Sequence, residues 1–412
     1  MSSLVSTQNR VESPFIIVKI GEYTFGHCSK LSERKNLSQL LTVEFPNFMD
    51  SLDIVKINGA INTYTLRMVY GITETDDPNL LEKVFASISD YRELTLSYGD
   101  WNMPGFIYKE ETAMITEITS DVDFESSKIV YTLKCTSSAL SLTAGKYNFS
   151  ARRAKPSTVI RELITDRSTG LLDVFYGMKD KTKLSSLIET DDKIVTLLAK
   201  SSITIFDYIS YLVSCMTCID DPDPAIKAYK YYWATYDDIS NEYGGPYFKV
   251  TKVAAHLKYN VSYNTYSVDV GYPSSNYVTS FKLNNNETWA ILYNYSKKIN
   301  LPQYTYDVDN DGKIVSVYSP AITKSSKFKY TTETSKDWWS SVTQYPITAQ
   351  LTIKGLLRPA ILMSYVKINT FFYGKKHISS GLYMITKQQD TINSSGYKTL
   401  LTLTRISGDE EM

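Results

Sequence analysis

The sequence predicts an α+β, β-dominated fold in which two similar β-barrel or sandwich modules flank a mixed α/β insertion. Three observations carry that expectation. Tyrosine is abundant, with 33 residues, alongside many hydroxyl and β-branched side chains, a composition that favours strands. A hairpin written near residue 115 is written again near residue 385. Between the two copies the apolar period lengthens to include helices. A chain of 412 residues can bury more than one core, and the expected division is 1–150, 151–335 and 336–412.

In the first part, "PFIIVKIGEYTFG" predicts a hairpin turning at Gly21-Glu22. "AINTYTLRMV" alternates like a strand with one wet face. "DDPNLLEKVFASISD" reads as a helix, with Asp77 as N-cap, Pro78 in the first turn, and Leu81, Val84, Phe85 and Ile88 on one face. "RELTLSYG", "MITEIT" and "KIVYTLKCTS" supply further strands.

The repeat is visible residue by residue. Met114-Ile115-Thr116 matches Met384-Ile385-Thr386 at an offset of 270, and Thr132-Leu133 and Ser137 match Thr402-Leu403 and Ser407 at the same offset. Upstream, "LTLSYG" (94–99) pairs with "NTFFYG" (369–374), and "INTYTLRMV" (61–69) with "ITAQLTIKG" (347–355). Strand order and final hairpin length are thus expected to be equal in the two copies. Register matters because a slip of one residue exchanges core and solvent faces. Alternation turns Leu133, Cys135, Leu401 and Leu403 inward. Thr132, Lys134, Thr136, Thr402 and Thr404 then face a duct or a neighbouring module, and Lys134 calls for a carboxylate or a neighbour to balance it.

The middle differs. A helix near 156–166 opens at Pro156 and turns Val159, Ile160, Leu163 and Ile164 inward. A second, near 204–218, places Phe206, Ile209, Val213 and Met216 on one stripe. Tyr-rich strands follow over 229–295. The run 203–219 contains Asp207 and falls short of a membrane span.

Charge narrows the function classes. Forty-four basic and 44 acidic side chains cancel, unlike the basic excess of a dedicated nucleic-acid binder. No secretory signal opens the chain, so Cys28, Cys135, Cys215 and Cys218 are expected as reduced thiols. "DVDNDG" (307–312) fills the early positions of a calcium loop, but Tyr318 stands where a bidentate Glu is needed, and strands flank it. A tight hairpin turn is the better reading. Cys215 and Cys218 share a helix side without a second ligand pair. Of the three histidines, His27, His256 and His377, the first adjoins Cys28, but neighbours along a strand point to opposite faces, so no dyad is expected there. No phosphate loop, nucleophile elbow or zinc-protease motif occurs, so no catalytic, metal or cofactor residues are assigned. Folding could still bring two carboxylates together. The cluster "YKYYWATYDDISNEYGGPY" (229–247) reads as cross-strand Tyr pairs or, in the alternative, as a sugar-stacking platform.

With those residues in hand, the chain resembles the baseplate hub proteins of tailed phages and related contractile injection machines. The carriers are "GLYMITKQQDTINSSGYKTLLTLTRISG" with its earlier partner at 114–137, "ITIFDYISYLV", "DVGYPSSNYVTSFKLNNNETWAILYNYS" and "DWWSSVTQYPITAQLTIKGLLRPAIL". The resemblance implies two tube-like modules per chain. It also implies a homotrimer whose pseudo-six-fold ring joins the tail tube to a central spike, beside other baseplate proteins. Tape-measure protein and DNA would pass through the lumen without specific binding. It implies a virion component assembled in the host cytoplasm, with no enzyme activity. With four residues after Gly408, an appended wall hydrolase is not expected. The competing expectations are a carbohydrate- or receptor-binding tail protein using the Tyr-rich middle, and a cell-wall hydrolase.

Overall fold

A computed structural model describes residues 14–27, 45–46, 48–71, 77, 79, 82–83, 86, 93–100, 108–123, 125–191, 194–216, 230–239, 241–253, 264–270, 278–285, 303–308, 314–319, 347–354, 362–377 and 379–408. The fold is β-dominated α+β. The first strands are β1 (Pro14–Ile20), β2 (Tyr23–His27), β3 (Met49–Ile57), β4 (Thr63–Gly71), β5 (Glu93–Asp100), β6 (Tyr108–Asp123) and β7 (Lys128–Thr136). The middle contributes α1 (Pro156–Thr165), α2 (Ile205–Cys215), β8 (Lys230–Tyr236) and β9 (Tyr247–Val253). Next come β10 (Asn264–Val270), β11 (Val278–Asn285), β12 (Gln303–Val308) and β13 (Ile314–Ser319). The last strands are β14 (Ile347–Lys354), β15 (Tyr365–Phe372), β16 (Gly381–Asn393) and β17 (Gly396–Gly408).

One sheet runs through most of these strands, in the order β11-β14-β17-β16-β3-β4-β7-β6-β5-β1-β2. It contains a unit written twice. The strands β3-β4-β7-β6-β5 and β11-β14-β17-β16-β15 follow the same order, and every neighbouring pair is antiparallel. The repeat extends to irregularities. Thr116 in β6 and Thr386 in β16 each sit at a bulge, and each hydroxyl donates across the strand, to Lys134 O at 2.9 Å and Thr402 O at 3.1 Å. A second bulge recurs at Asp50 in β3 and Thr279 in β11. Bulges bend a strand and fix its register, so their recurrence marks equivalent positions. Beyond the unit the copies diverge: β1 is antiparallel to β5, whereas β10 is parallel to β15.

Three details of the sequence alignment are corrected. The first hairpin closes at Asp123–Lys128 and the second at Asn393–Gly396, so the second turn is two residues shorter. Leu133 therefore corresponds to Leu401, not Leu403, and Lys134 to Thr402. An even shift keeps every side chain on its own face. Leu66 opposes Leu133 and Leu351 opposes Leu401, which moves the β4–β14 match by one residue from the sequence alignment. Glu93 and Tyr365 both oppose the matched methionines, so Leu94 corresponds to Val366 rather than Asn369. Thr- and Leu-rich strands look alike when slid. Burial decides: Leu94, Leu96, Val366 and Ile368 are all core residues. The strands β10 and β11, which sequence grouped with the middle, hydrogen-bond into the C-terminal sheet.

Local sequence explains the elements. Gly21 carries a φ of +59°, a left-handed value that only Gly adopts freely, and it turns β1 into β2. Thr204 caps α2 by accepting from Asp207 N at 3.0 Å. The buried stripe of α2 is Ile205, Tyr208, Ile209, Leu212 and Val213. Phe206, expected on that stripe, lies at its margin and meets Trp233 edge-on, with centroids 5.1 Å apart. In α1, Val159, Ile160 and Ile164 are buried, with Leu163 packed at the rim. These helices share a core with β8 and β9, while a second core runs under the long sheet. Asp77 accepts from Asn79 N at 2.9 Å, and the apolar face proposed for the helix after it lies outside the described residues.

Leu133, Cys135, Leu401 and Leu403 are fully buried. Each leucine contributes roughly 1.5–3 kcal/mol through its removal from water. Leu401→Asp is expected to lower unfolding free energy by about 3–5 kcal/mol, since a charge replaces packed methyl groups. Thr404→Asp, on the opposite and half-buried face, should cost about 1 kcal/mol. Urea denaturation of the two variants measures the difference.

Candidate assembly interface

The two copies of the unit meet edge to edge within the chain. The first half of β16, residues 381–384, pairs with β15, while residues 387–393 pair with β3 over 51–57. The bulge at Thr386 separates the two partners. Across this junction Thr391 donates to Asp53 Oδ1 at 2.7 Å on one face. On the other face Ile392, Leu52 and Ile54 are buried.

The five residues singled out by alternation share one side of the sheet. Lys134 is exposed, and Thr132, Thr136, Thr402 and Thr404 are half-buried. Lys134 meets Glu117 at 3.0 Å, supplying the carboxylate its position called for. Arg67 meets Asp50 at 2.7 Å. Both pairs are exposed and contribute little to stability. Their effect is to leave this part of the surface polar without a strong excess of either sign.

Folding also gathers carboxylates from distant sequence positions. Glu111 in β6 pairs with Lys56 in β3 and accepts from Tyr98 Oη at 2.9 Å. Tyr64 Oη lies 2.9 Å from both Glu111 Oε2 and Asp237 Oδ2. Asn62 Nδ2 donates to Asp237 at 2.7 Å, and Ser137 Oγ donates to its other oxygen. Asp237 follows β8, so the cluster ties the middle region to the first unit. Backbone bonds reinforce the tie, from Thr112 N to Asp237 O at 3.1 Å and from Ile239 N to Glu110 O at 3.0 Å. Every member is buried, leaving no surface for a substrate. Sequence reading did not find this cluster, because its members are scattered over 56–237 with no spacing that marks them.

The other candidates resolve separately. β12 and β13 pair as an antiparallel hairpin around "DVDNDG", with Asp309, Asp311 and Gly312 outside the described residues. Cys28, Cys218 and His256 also lie outside them. Among the described residues, no group of three or more His, Cys, Asp or Glu is placed to hold a metal, and no helix is long and apolar enough to cross a membrane. In the Tyr cluster, Tyr231 and Trp233 are buried, while Tyr236 and Tyr247 stack on each other across β8 and β9 at 4.7 Å. This is the cross-strand pairing that the cluster's sequence offered as one reading.

This fold is similar to that of a phage tail protein. The 43 kDa tail protein of prophage MuSo2 from Shewanella oneidensis matches with a TM-score of 0.50 and 10% identity, over 96% of this chain and 97% of that one. A tail protein from Neisseria meningitidis MC58 aligns with a TM-score of 0.49 and 8% identity, over 95% and 97% of the two chains. An E. coli type VI secretion component, described as structurally similar to the bacteriophage T4 tail proteins gp27 and gp5, aligns with a TM-score of 0.48 and 7% identity, over 95% and 77%. No protein-family model and no curated protein matches the sequence.

The buried cluster sets a pH limit. Burial alone would lower the Lys56 pKa, but the neighbouring carboxylates, Glu111 foremost with Asp237 and Asp390, together more than reverse this, and the net shift is upward. Burial, followed by nearby carboxylates, pushes Tyr64 and Tyr98 well above the ordinary tyrosine value of 10.0. All three groups hold their protons more tightly folded than unfolded. Their contribution is therefore complete below the ordinary values and is lost as pH rises above them. Melting temperature should fall steeply above about pH 10, with these tyrosines ionising only as the chain unfolds. Tyrosinate absorbance recorded alongside circular dichroism checks this; full ionisation in a still-folded chain would contradict it.

Proposed function

We propose that the chain is a structural hub subunit of a phage tail or related injection machine. Three copies, each bringing two like units, form a ring of six units about one axis. One face of the ring meets a six-fold tail tube and the other a three-fold spike. The observation that carries this reading is the edge-to-edge pairing of two copies of one five-strand unit inside a single chain. A pair of this kind spans a third of a closed ring, and three protomers complete it by a head-to-tail contact. The middle region occurs once per protomer, so it lends the ring three-fold character. This organisation corresponds to a first tube-like unit, a middle insertion, and a second tube-like unit that takes in β10 and β11.

In this reading, Thr132, Lys134, Thr136, Thr402 and Thr404 line the lumen or a seam between units. Hydroxyls and paired charges suit a wall past which tape-measure protein and DNA slide, because a basic excess would hold phosphates. Tail tube, spike and other baseplate proteins are the remaining partners, and the virion is the site of action. The role is mechanical, without catalysis or cofactor. The sealed position of Glu111 and Asp237 favours this over a hydrolase. The mutual stacking of Tyr236 and Tyr247 favours it over a sugar-binding protein.

Mass determination of the purified chain by light scattering should give three copies, and negative-stain images should show a ring with a central opening. A stable dimer, or a monomer at every concentration, would contradict the proposal.

A further inference from the structure

The junction inside the chain uses one edge of each unit, and among the described residues the equivalent edge of the other unit is unpaired. In the second unit, residues 387–393 of β16 bond to β3. Their counterparts in the first unit, residues 117–123 of β6, pair among the described residues only with β7. In the first unit, β3 bonds to both β4 and β16. Its counterpart β11 pairs among the described residues only with β14. Burial records the same asymmetry. Ile392 is 1% exposed, whereas its counterpart Val122 is 45% exposed. Leu52 and Ile54 are buried, whereas their counterparts Phe281 and Leu283 are half-buried.

We propose that residues 118–123 of β6 add antiparallel to β11 of a second copy of this chain, in the register of the internal junction. This rests on the ring reading above and specifies the contact that closes it. The register follows from the bulges, which match β6 to β16 at an offset of 270 and β3 to β11 at an offset of 229. Thr391 opposes Asp53 inside the chain, so Asp121 opposes Lys282 between chains. Ile392 opposes Leu52, so Val122 opposes Phe281. The first pair joins opposite charges that are both exposed in the single chain. The second joins an exposed valine to a half-buried aromatic ring. Backbone bonding along an open edge supplies affinity, and these two pairs supply register. Each protomer offers one β6 edge and one β11 edge, so three seams close the ring.

Charge reversal and cross-linking test the seam. Asp121→Lys or Lys282→Asp alone places like charges at three seams and should weaken trimer formation by roughly tenfold to a hundredfold. Combining the two reversals should restore it. Oxidation of a Val122→Cys/Phe281→Cys variant should yield a covalent species of up to three chains. Val122→Cys with Ser280→Cys should not, because those side chains lie on opposite faces, and the parent chain gives the background for its native cysteines. A trimer by mass that ignores both reversals and resists the matched cross-link overturns the seam while leaving the ring reading intact. A chain that stays monomeric overturns both.

Discussion

The bond between residues 387–393 and residues 51–57 is the constraint on which the rest of the structure depends. It joins two strands that are far apart in sequence, and chain entropy opposes that closure. Backbone bonds along the seam and the burial of Ile392, Leu52 and Ile54 offset the cost. Because the contact is a strand pairing rather than a side-chain patch, it fixes both the rotation and the register of one unit against the other. Two domains on a linker could rock. Two units sharing one sheet cannot, and the proposed ring would need that rigidity.

The copies are alike in backbone and unlike in one set of side chains. Lys56, Tyr64, Tyr98 and Glu111 surround the buried cluster in the first unit. At the matching places of the second unit stand Asn285, Ala349, Thr370 and Gly381. The cluster exists where Asp237 of the middle region must be anchored, and it vanishes where no such anchor is needed. Small and polar replacements thus break the internal symmetry without disturbing strand order. A buried ion pair is a poor source of net stability, yet removal of one partner is costly. Its value here is specificity, fixing Asp237 of the middle region to the first unit, while the neighbouring Tyr236 Oη donates to Leu362 O at 2.9 Å beside the second.

Much of this was legible in the sequence because strand alternation and a repeated hairpin leave local marks. Met114-Ile115-Thr116 and Met384-Ile385-Thr386 coincide at a bulge, where geometry demands the same hydroxyl in both copies. The inward leucines followed from period two alone. The shorter second turn was hidden because a two-residue deletion keeps every face unchanged. The one-residue shift of β4 against β14, and the three-residue shift of β5 against β15, were hidden by strands of similar composition. Membership of β10 and β11 in the second unit was not legible, since pairing partners lie far along the chain. Neither was the cluster around Glu111, whose members meet only in three dimensions. The edge at 117–123 looked like an ordinary half of a hairpin until its counterpart was seen covered.

Amide hydrogen exchange across the two equivalent edges probes the central claim most directly. In dilute solution, the amides of 118–123 that point away from β7 should exchange quickly, while their counterparts in 387–393 remain protected by β3. As concentration rises and the ring forms, protection of 118–123 and of β11 should climb to the level of 387–393. Fast exchange at 118–123 in a fully assembled ring would contradict the account.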